Sequence, residues 1–231
     1  MPAAGLKQRF KSRNPDLVRI ARLVQYEFGG WIADIGGRLS PRQRGRIRAL
    51  RAARGLKLNI ASGGATHEGW TNIDVSRAAD IRMDLRRPLP LSDDSAALIF
   101  CEHFCDHLGF PDAIARFLAE CRRVLAPGGR ARFVLHDAEG LMKAHLARDK
   151  TYFAVSEIEA GTMMESVNLI FRFNDFHQFM YDYETFAKLL REAGFASVQR
   201  CGYQQSDDPG IALDYELPSR EMMSMYVEAI K

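Results

Sequence analysis

Apolar residues follow two textures along the chain. In the first fifty residues they fall at helical spacing: Leu17, Ile20, Leu23 and Val24 mark one stripe of a helix that Asn14 or Asp16 can cap, and Gly29-Gly30 is expected to end it. Ser40-Pro41 then has the form of an N-cap followed by proline at the first helical position, opening a second helix through Ile47 and Leu50 to about Arg54. From Leu56 onward the pattern changes to short apolar runs separated by turn and helix signals. The runs 56–61, 72–75, 81–85, 96–101 and 131–136 do not alternate, so they predict strands buried on both faces, the mark of a parallel sheet. The stretch 112–125 predicts a connecting helix with Ile114, Phe117, Leu118, Cys121, Val124 and Leu125 on one side, stopped by Pro127-Gly128-Gly129. A second such unit spans 183–193, closed by Gly194 before a strand at 196–201. The final run 222–230 alternates around Met223, Met225, Val227 and Ala229 and predicts a last strand. One conflict is local: about ten residues separate the first two strands, whereas a parallel crossover normally takes a dozen or more, so the crossover helix is expected to be cut to a turn.

At 231 residues the chain can bury one substantial core, and its composition is that of an ordinary globular domain. It has no apolar run of membrane-spanning length, and residues 1–10 lack the apolar core of a secretory signal, so a cytoplasmic protein is expected. The four cysteines make no disulfide framework and are expected to be free thiols. A net charge of +3 conceals an asymmetry: residues 1–55 carry 13 Lys/Arg against Asp16, Glu27 and Asp34, a net +10, which leaves −7 for the remainder. Such an arm can meet phosphates, an anionic membrane surface or the acidic body itself. Nucleic acid is disfavoured, because no aromatic residues interleave with Arg42 to Arg54.

The most informative chemistry lies at Leu58-Asn59-Ile60-Ala61-Ser62-Gly63-Gly64, followed by Asp74 and Val75. An apolar strand running into a small-residue turn lets a ligand approach the backbone, and an acid ending the next strand can accept hydrogen bonds from a ribose diol. These features together predict a nucleoside-type site. A dehydrogenase is disfavoured, since Gly-x-Gly-x-x-Gly is absent. The alternation Cys101-x-His103-x-Cys105-x-His107 suggests a metal, but on one strand these residues would spread about 6.6 Å apart along a face and could not converge on one ion, so no metal is expected.

In order and spacing these pieces resemble the class I S-adenosylmethionine-dependent methyltransferases, specifically the small bacterial branch with the signature "LNLGCG…GWxNVD". The segment 58–63 corresponds to its first motif, and Gly69-Trp70-Thr71-Asn72-Ile73-Asp74 to its next strand. Residues 84–91 resemble "DLxxPLPF", residues 102–108 resemble "xHVLEHL", and residues 120–129 resemble the turn "ExxRVLKPGG". The resemblance covers most of 56–231 and implies a Rossmann-like, doubly wound α/β fold. Its mostly parallel seven-stranded sheet would have an antiparallel last strand, and residues 1–55 would form a basic helical N-terminal extension. Within this domain, 138–182 is long and too apolar for a disordered loop, so it is expected to form a lid or acceptor pocket, or else a structural cover or homodimer surface.

The resemblance also implies roles. Ala61, Ser62, Gly63 and Gly64 would pass the methionine part of S-adenosylmethionine, and Asp74 with Val75 would hold the ribose. Asp84 and Leu85 would flank the adenine, while Glu102 and His103 would line the methyl-transfer side. Ala61 stands where the family has its first glycine, and its methyl group is tolerable only if φ stays negative and the group does not face the methionine moiety. A hydroxyl acceptor needs a base, for which the candidates are His177, His103 and His136, in that order. His177 has the alternative of packing among Phe173, Phe176 and Phe179, and Asp137 either positions the acceptor or caps the next helix. The implied activity is methyl transfer to a small-molecule or glycan or lipid-linked acceptor in biosynthesis. The alternative is a non-catalytic scaffold or regulatory module whose basic arm binds a phosphate-rich partner.

Overall fold

A computed structural model describes residues 15–231 apart from 157 and 159. The unalternated apolar runs become strands β1 (Leu56–Ile60), β2 (Thr71–Asp74), β3 (Ile81–Arg82), β4 (Ala96–Glu102), β5 (Leu125–His136), β6 (Ser197–Cys201) and β7 (Ser224–Ile230). They pair in the order β3-β2-β1-β4-β5-β7-β6. β3 to β5 run parallel, and β7 is antiparallel to both β5 and β6. This is the Rossmann-like, mostly parallel seven-stranded α/β fold. Leu58, Ile60, Ile73, Ile81 and Ile99 are fully buried, because helices and loops cover both sheet faces. Each such side chain contributes roughly 1.5–3 kcal/mol.

Helix α3 (Asp112–Val124) buries the predicted face from Ile114 to Val124. It ends without help from Pro127-Gly128-Gly129, which instead lies inside β5. There Gly128 has φ +76°, and a Cβ on Gly129 would stand 2.8 Å from the Ala126 carbonyl oxygen. The third strand is shorter than expected, since the chain turns at Asp84, whose carbonyl accepts from Arg87 N. The run 222–230 is also split. A helical turn occupies Pro218–Met223, and β7 is buried on both faces from Ser224 to Ala229 instead of alternating.

The short β1–β2 crossover has no helix, as expected, and two buried amides hold it in place. Asn59 Nδ2 donates to Asn72 Oδ1 (2.9 Å) and to the Ala65 carbonyl (2.8 Å), while Asn72 Oδ1 also accepts from His67 N (3.0 Å). The missing helical hydrogen bonds are thus replaced by side-chain ones.

The first helix departs most from expectation. α1 (Pro15–Leu39) runs straight through Gly29-Gly30. Of its expected stripe only Leu23 turns inward, whereas Leu17, Ile20 and Val24 are exposed. The face against the body is instead built from Gly30, Ala33, Asp34 and Gly37. A Cβ on Gly37 would lie 2.3 Å from the Arg82 carbonyl oxygen, so this glycine permits close approach and does not end the helix. Asn14, the first candidate cap, lies outside the described residues. α2 (Pro41–Ala52) has the expected Ser40 cap, which accepts from Gln43 N (3.3 Å).

The segment 138–182 folds into α4 (Ala138–Ala147), α5 (Lys150–Ala154) and α6 (Met163–Arg172). Leu141, Tyr152, Phe153, Val167 and Ile170 give it an apolar cluster of its own. α7 (Tyr183–Glu192), capped by Asp182, follows and packs Phe186 on Phe133. On the far face, fully buried Arg132 pairs with Asp214 (2.5 Å) and Glu228 (2.8 Å) and ties the 202–214 loop to the sheet. Among the described residues no helix is long and apolar enough to cross a membrane.

Candidate functional site

The site lies beyond the carboxyl ends of β1, β2 and β4, where open α/β sheets place ligands. A cavity of about 390 Å³ brings together Asp74, Val75, Asp84 and Leu85, four residues expected to hold the nucleoside. α1 covers it with Leu23, Glu27 and Gly30, and the segment after α6 closes it with Asp175, Phe176 and Gln178. Asp74 Oδ1 accepts from Ser76 N at 2.7 Å, which orients the carboxylate. Asp84 is gripped by Arg86 through Nε (2.9 Å) and Nη2 (2.7 Å), and Arg86 in turn reaches Glu27 on α1 (2.9 Å). Burial raises the affinity of Asp84 for its proton, but the hydrogen bonds and charge of Arg86 outweigh it and hold the carboxyl below its usual range. The ion pairs latch α1 to the Asp84 side of the cleft, a link through Glu27 and Arg86 that the residue pattern did not disclose.

A second cavity, about 450 Å³, gathers Ala61, Ser62, Gly64 and Glu102 with Tyr215 and Arg220. Arg220 Nε stands 2.7 Å from Glu102, so a cation and an anion face each other beside the turn. Burial pushes the Glu102 carboxyl upward despite that arginine. Ser62 Oγ is buried with no hydrogen-bond partner, an orphaned polar atom a ligand can satisfy. Ala61 has φ +59°, overturning the expectation of a negative angle. Its amide reaches back to the Ile73 carbonyl at 2.9 Å. The turn therefore keeps the backbone shape a glycine adopts freely, at roughly 1–2 kcal/mol for an L-residue. Gly63 shares the left-handed region (φ +53°), and its carbonyl accepts from the Ser76 hydroxyl, which ties the first turn to the end of β2.

The histidine candidates converge. β4 ends at Glu102, and His103 (φ +48°) opens a turn into a short 3-10 segment, Cys105–His107. His103 Nδ1 lies 3.0 Å from His136 Nδ1 at the end of β5, and His103 Nε2 lies 3.0 Å from Ser224 Oγ. His136 Nδ1 is also 3.1 Å from Oδ2 of Asp106, a fully buried residue absent from the sequence-based candidates. Its position three residues after His103 was the available signal. The His177 ring stacks on Phe173 and lies 4.8 Å from that of His136, while its Nδ1 is 2.9 Å from the Ile170 carbonyl. Burial pushes the His177 imidazole down to about 4, and burial with the neighbouring His136 holds His103 well below its usual range. Both rings are accordingly neutral, with electron pairs to offer. Asp137 is committed elsewhere: it caps α4 through Gly140 N (3.0 Å) and pairs with Arg200 (2.6 Å). Cys101 and Cys105 are buried beside Cys121 in the core, so the Cys-His alternation does not share one face.

Residues 60–133 match the family model described as a methyltransferase domain. Solved structures with a similar backbone include a S-adenosylmethionine-dependent methyltransferase from Thermotoga maritima, described as a possible histamine N-methyltransferase. It is 16% identical, with 90% of this chain and 96% of that one covered and a TM-score of 0.48. Another, from Mesorhizobium loti, is 16% identical over 84% of this chain and all of its own, with a TM-score of 0.46. Phosphoethanolamine N-methyltransferase 2 from Haemonchus contortus, solved with S-adenosyl-L-methionine, is 12% identical over 83% of this chain and 53% of its own, at 0.45. These distant likenesses carry no argument about the acceptor. No curated protein matches the sequence. The chain thus carries a methyltransferase-domain match over residues 60–133 within a Rossmann-like α/β fold, which supports S-adenosylmethionine as its cofactor.

Proposed function

We propose that the protein is a S-adenosylmethionine-dependent methyltransferase acting on a polar group of a small-molecule, glycan or lipid-linked acceptor in biosynthesis. The observation that carries this reading is the meeting of Asp74, Val75, Asp84 and Leu85 in one covered cavity, with Ala61, Ser62 and Glu102 in the next. When bound, the cofactor supplies an electrophilic methyl group on a sulfonium. The chain's own residues bind and orient: the Asp74 carboxylate accepts from the ribose hydroxyls, and Met83, Leu85 and Leu108 offer apolar surface to the base. Ser62 Oγ, Glu102 and Arg220 suit the amino-acid end, whose ammonium and carboxylate complement the two charges. Phe104 and Phe176 limit water at the cleft, where alignment of nucleophile and methyl carbon can contribute several of the about 7–11 kcal/mol available from orientation.

Titration calorimetry with S-adenosylmethionine and S-adenosylhomocysteine tests this reading. Binding in the micromolar range is expected, and the absence of heat with both would overturn it.

A further inference from the structure

Asp106 is fully buried, yet among the described residues no lysine or arginine pairs with it. Among the described residues its Oδ1 has no hydrogen-bond partner, and its Oδ2 meets only His136 Nδ1. An uncompensated carboxylate in such a place is unfavourable unless a cation or a full set of donors accompanies it. The donors here do not suffice. His136 Nδ1, His103 Nδ1 and Asp106 Oδ2 face one another at 3.0 and 3.1 Å. His136 Nδ1, the middle atom, carries at most one hydrogen and so cannot satisfy both of its neighbours with straight hydrogen bonds.

The cluster has the size of a ligand set: bonds of about 2.0–2.2 Å place neighbouring tetrahedral donors roughly 3.3–3.6 Å apart, the two printed pairs lie a few tenths of an ångström inside that at 3.0 and 3.1 Å, and one ligand atom from each residue lies within 4.8 Å of the others. The outer contacts are also those of a ligand set. His103 rests its other nitrogen on Ser224 Oγ, which fixes which nitrogen turns inward, as ligating histidines require. His136 keeps 19% of its side chain exposed, leaving a side from which a further ligand can enter. His177, whose Nδ1 lies against the Ile170 carbonyl, packs its ring 4.8 Å from that of His136 but stands outside the three-residue group.

We propose that His103, Asp106 and His136 form a binding site for a divalent transition ion of the zinc class. Two imidazoles and one carboxylate suit such an ion, whereas Mg²⁺ and Ca²⁺ prefer oxygen donors. The proposal overrides the sequence-based expectation of no metal, which weighed only the Cys-His alternation. Because the site is complete without the nucleoside cavity, it stands or falls apart from the methyl-donor reading.

The test uses the full chain, stripped with a chelator and titrated with Zn²⁺ and separately with Mg²⁺ by calorimetry. Co²⁺ serves as the spectroscopic probe. One equivalent of Zn²⁺ should bind, Mg²⁺ should not compete, and Co²⁺ should develop visible bands. The partly exposed His136→Gln should weaken Zn²⁺ binding by more than roughly 100-fold, beyond the 10–100-fold seen for outer contacts, and abolish the Co²⁺ bands. Circular dichroism and S-adenosylmethionine titration on the same samples separate the outcomes. Cofactor binding without Zn²⁺ binding, or Zn²⁺ binding unchanged in His136→Gln, overturns the metal site. Zn²⁺ binding without cofactor binding overturns the methyl-donor reading and leaves the metal site standing.

Discussion

Replacing Ala61 by glycine should stabilise the protein, although glycine substitutions usually do the reverse. Ala61 sits at φ +59°, where an L-residue loses roughly 1–2 kcal/mol relative to its ordinary conformations. Against this, glycine's extra freedom in the unfolded chain removes about 0.4–1 kcal/mol. Ala61 is half-buried, so losing part of one methyl contact removes about 0.4 kcal/mol more. The balance is a gain of about 0.5 kcal/mol, or roughly 1–2 °C in Tm for a domain of this size. Ala65 supplies the control, since it is also half-buried, lies four residues on, and is not among the positive-φ positions. Ala65→Gly should destabilise by about 1 kcal/mol, so the two variants should differ by roughly 1–2 kcal/mol, the left-handed contribution isolated. Urea unfolding of both, with S-adenosylmethionine affinity as a companion measurement, decides the matter. An Ala61→Gly variant as destabilised as Ala65→Gly would refute the reasoning, because it would mean that the turn imposes no strain on alanine.

Three further outcomes are expected. Asp74→Ala should weaken S-adenosylmethionine binding by roughly 1–3 kcal/mol through loss of hydrogen bonds to a charged group, and unchanged calorimetric affinity would remove Asp74 from the site. The helical glycines should behave oppositely. Gly29→Ala, whose Cβ meets open space, should gain up to about 1 kcal/mol, while Gly37→Ala, driven against the Arg82 carbonyl, should lose about 1–3 kcal/mol and expose α1 to protease. Equal effects in urea unfolding would contradict the close approach. Arg132→Ala leaves Asp214 buried without its cation, while Glu228 keeps Arg130, and should cost about 3–5 kcal/mol, whereas a loss below about 1 kcal/mol by the same assay would show that the loop is not anchored there.

What the chain by itself determined was what depends on local chemistry. Unalternated Val, Ile and Leu runs read as buried parallel strands, and the Asp112 and Tyr183 helices showed their faces, because periodicity is a property of neighbours in sequence. The turn and the acid of the proposed nucleoside site could be picked out for the same reason, since they stand within sixteen positions of each other. Only the tertiary structure decided features that depend on what lies opposite. Gly29-Gly30 read as a helix end, yet α1 runs through it and lays Gly37 against the backbone of β3, and of its apolar stripe only Leu23 turns to the body. The left-handed angle of Ala61 is imposed by its bond to Ile73 across the sheet. Asp106 and His136, thirty residues apart, became one constellation because β4 and β5 are neighbours whose ends deliver side chains to a single point. Sequence spacing encodes the period of an element but not the partner across the gap, and it is the partner that turns a polar residue into a site.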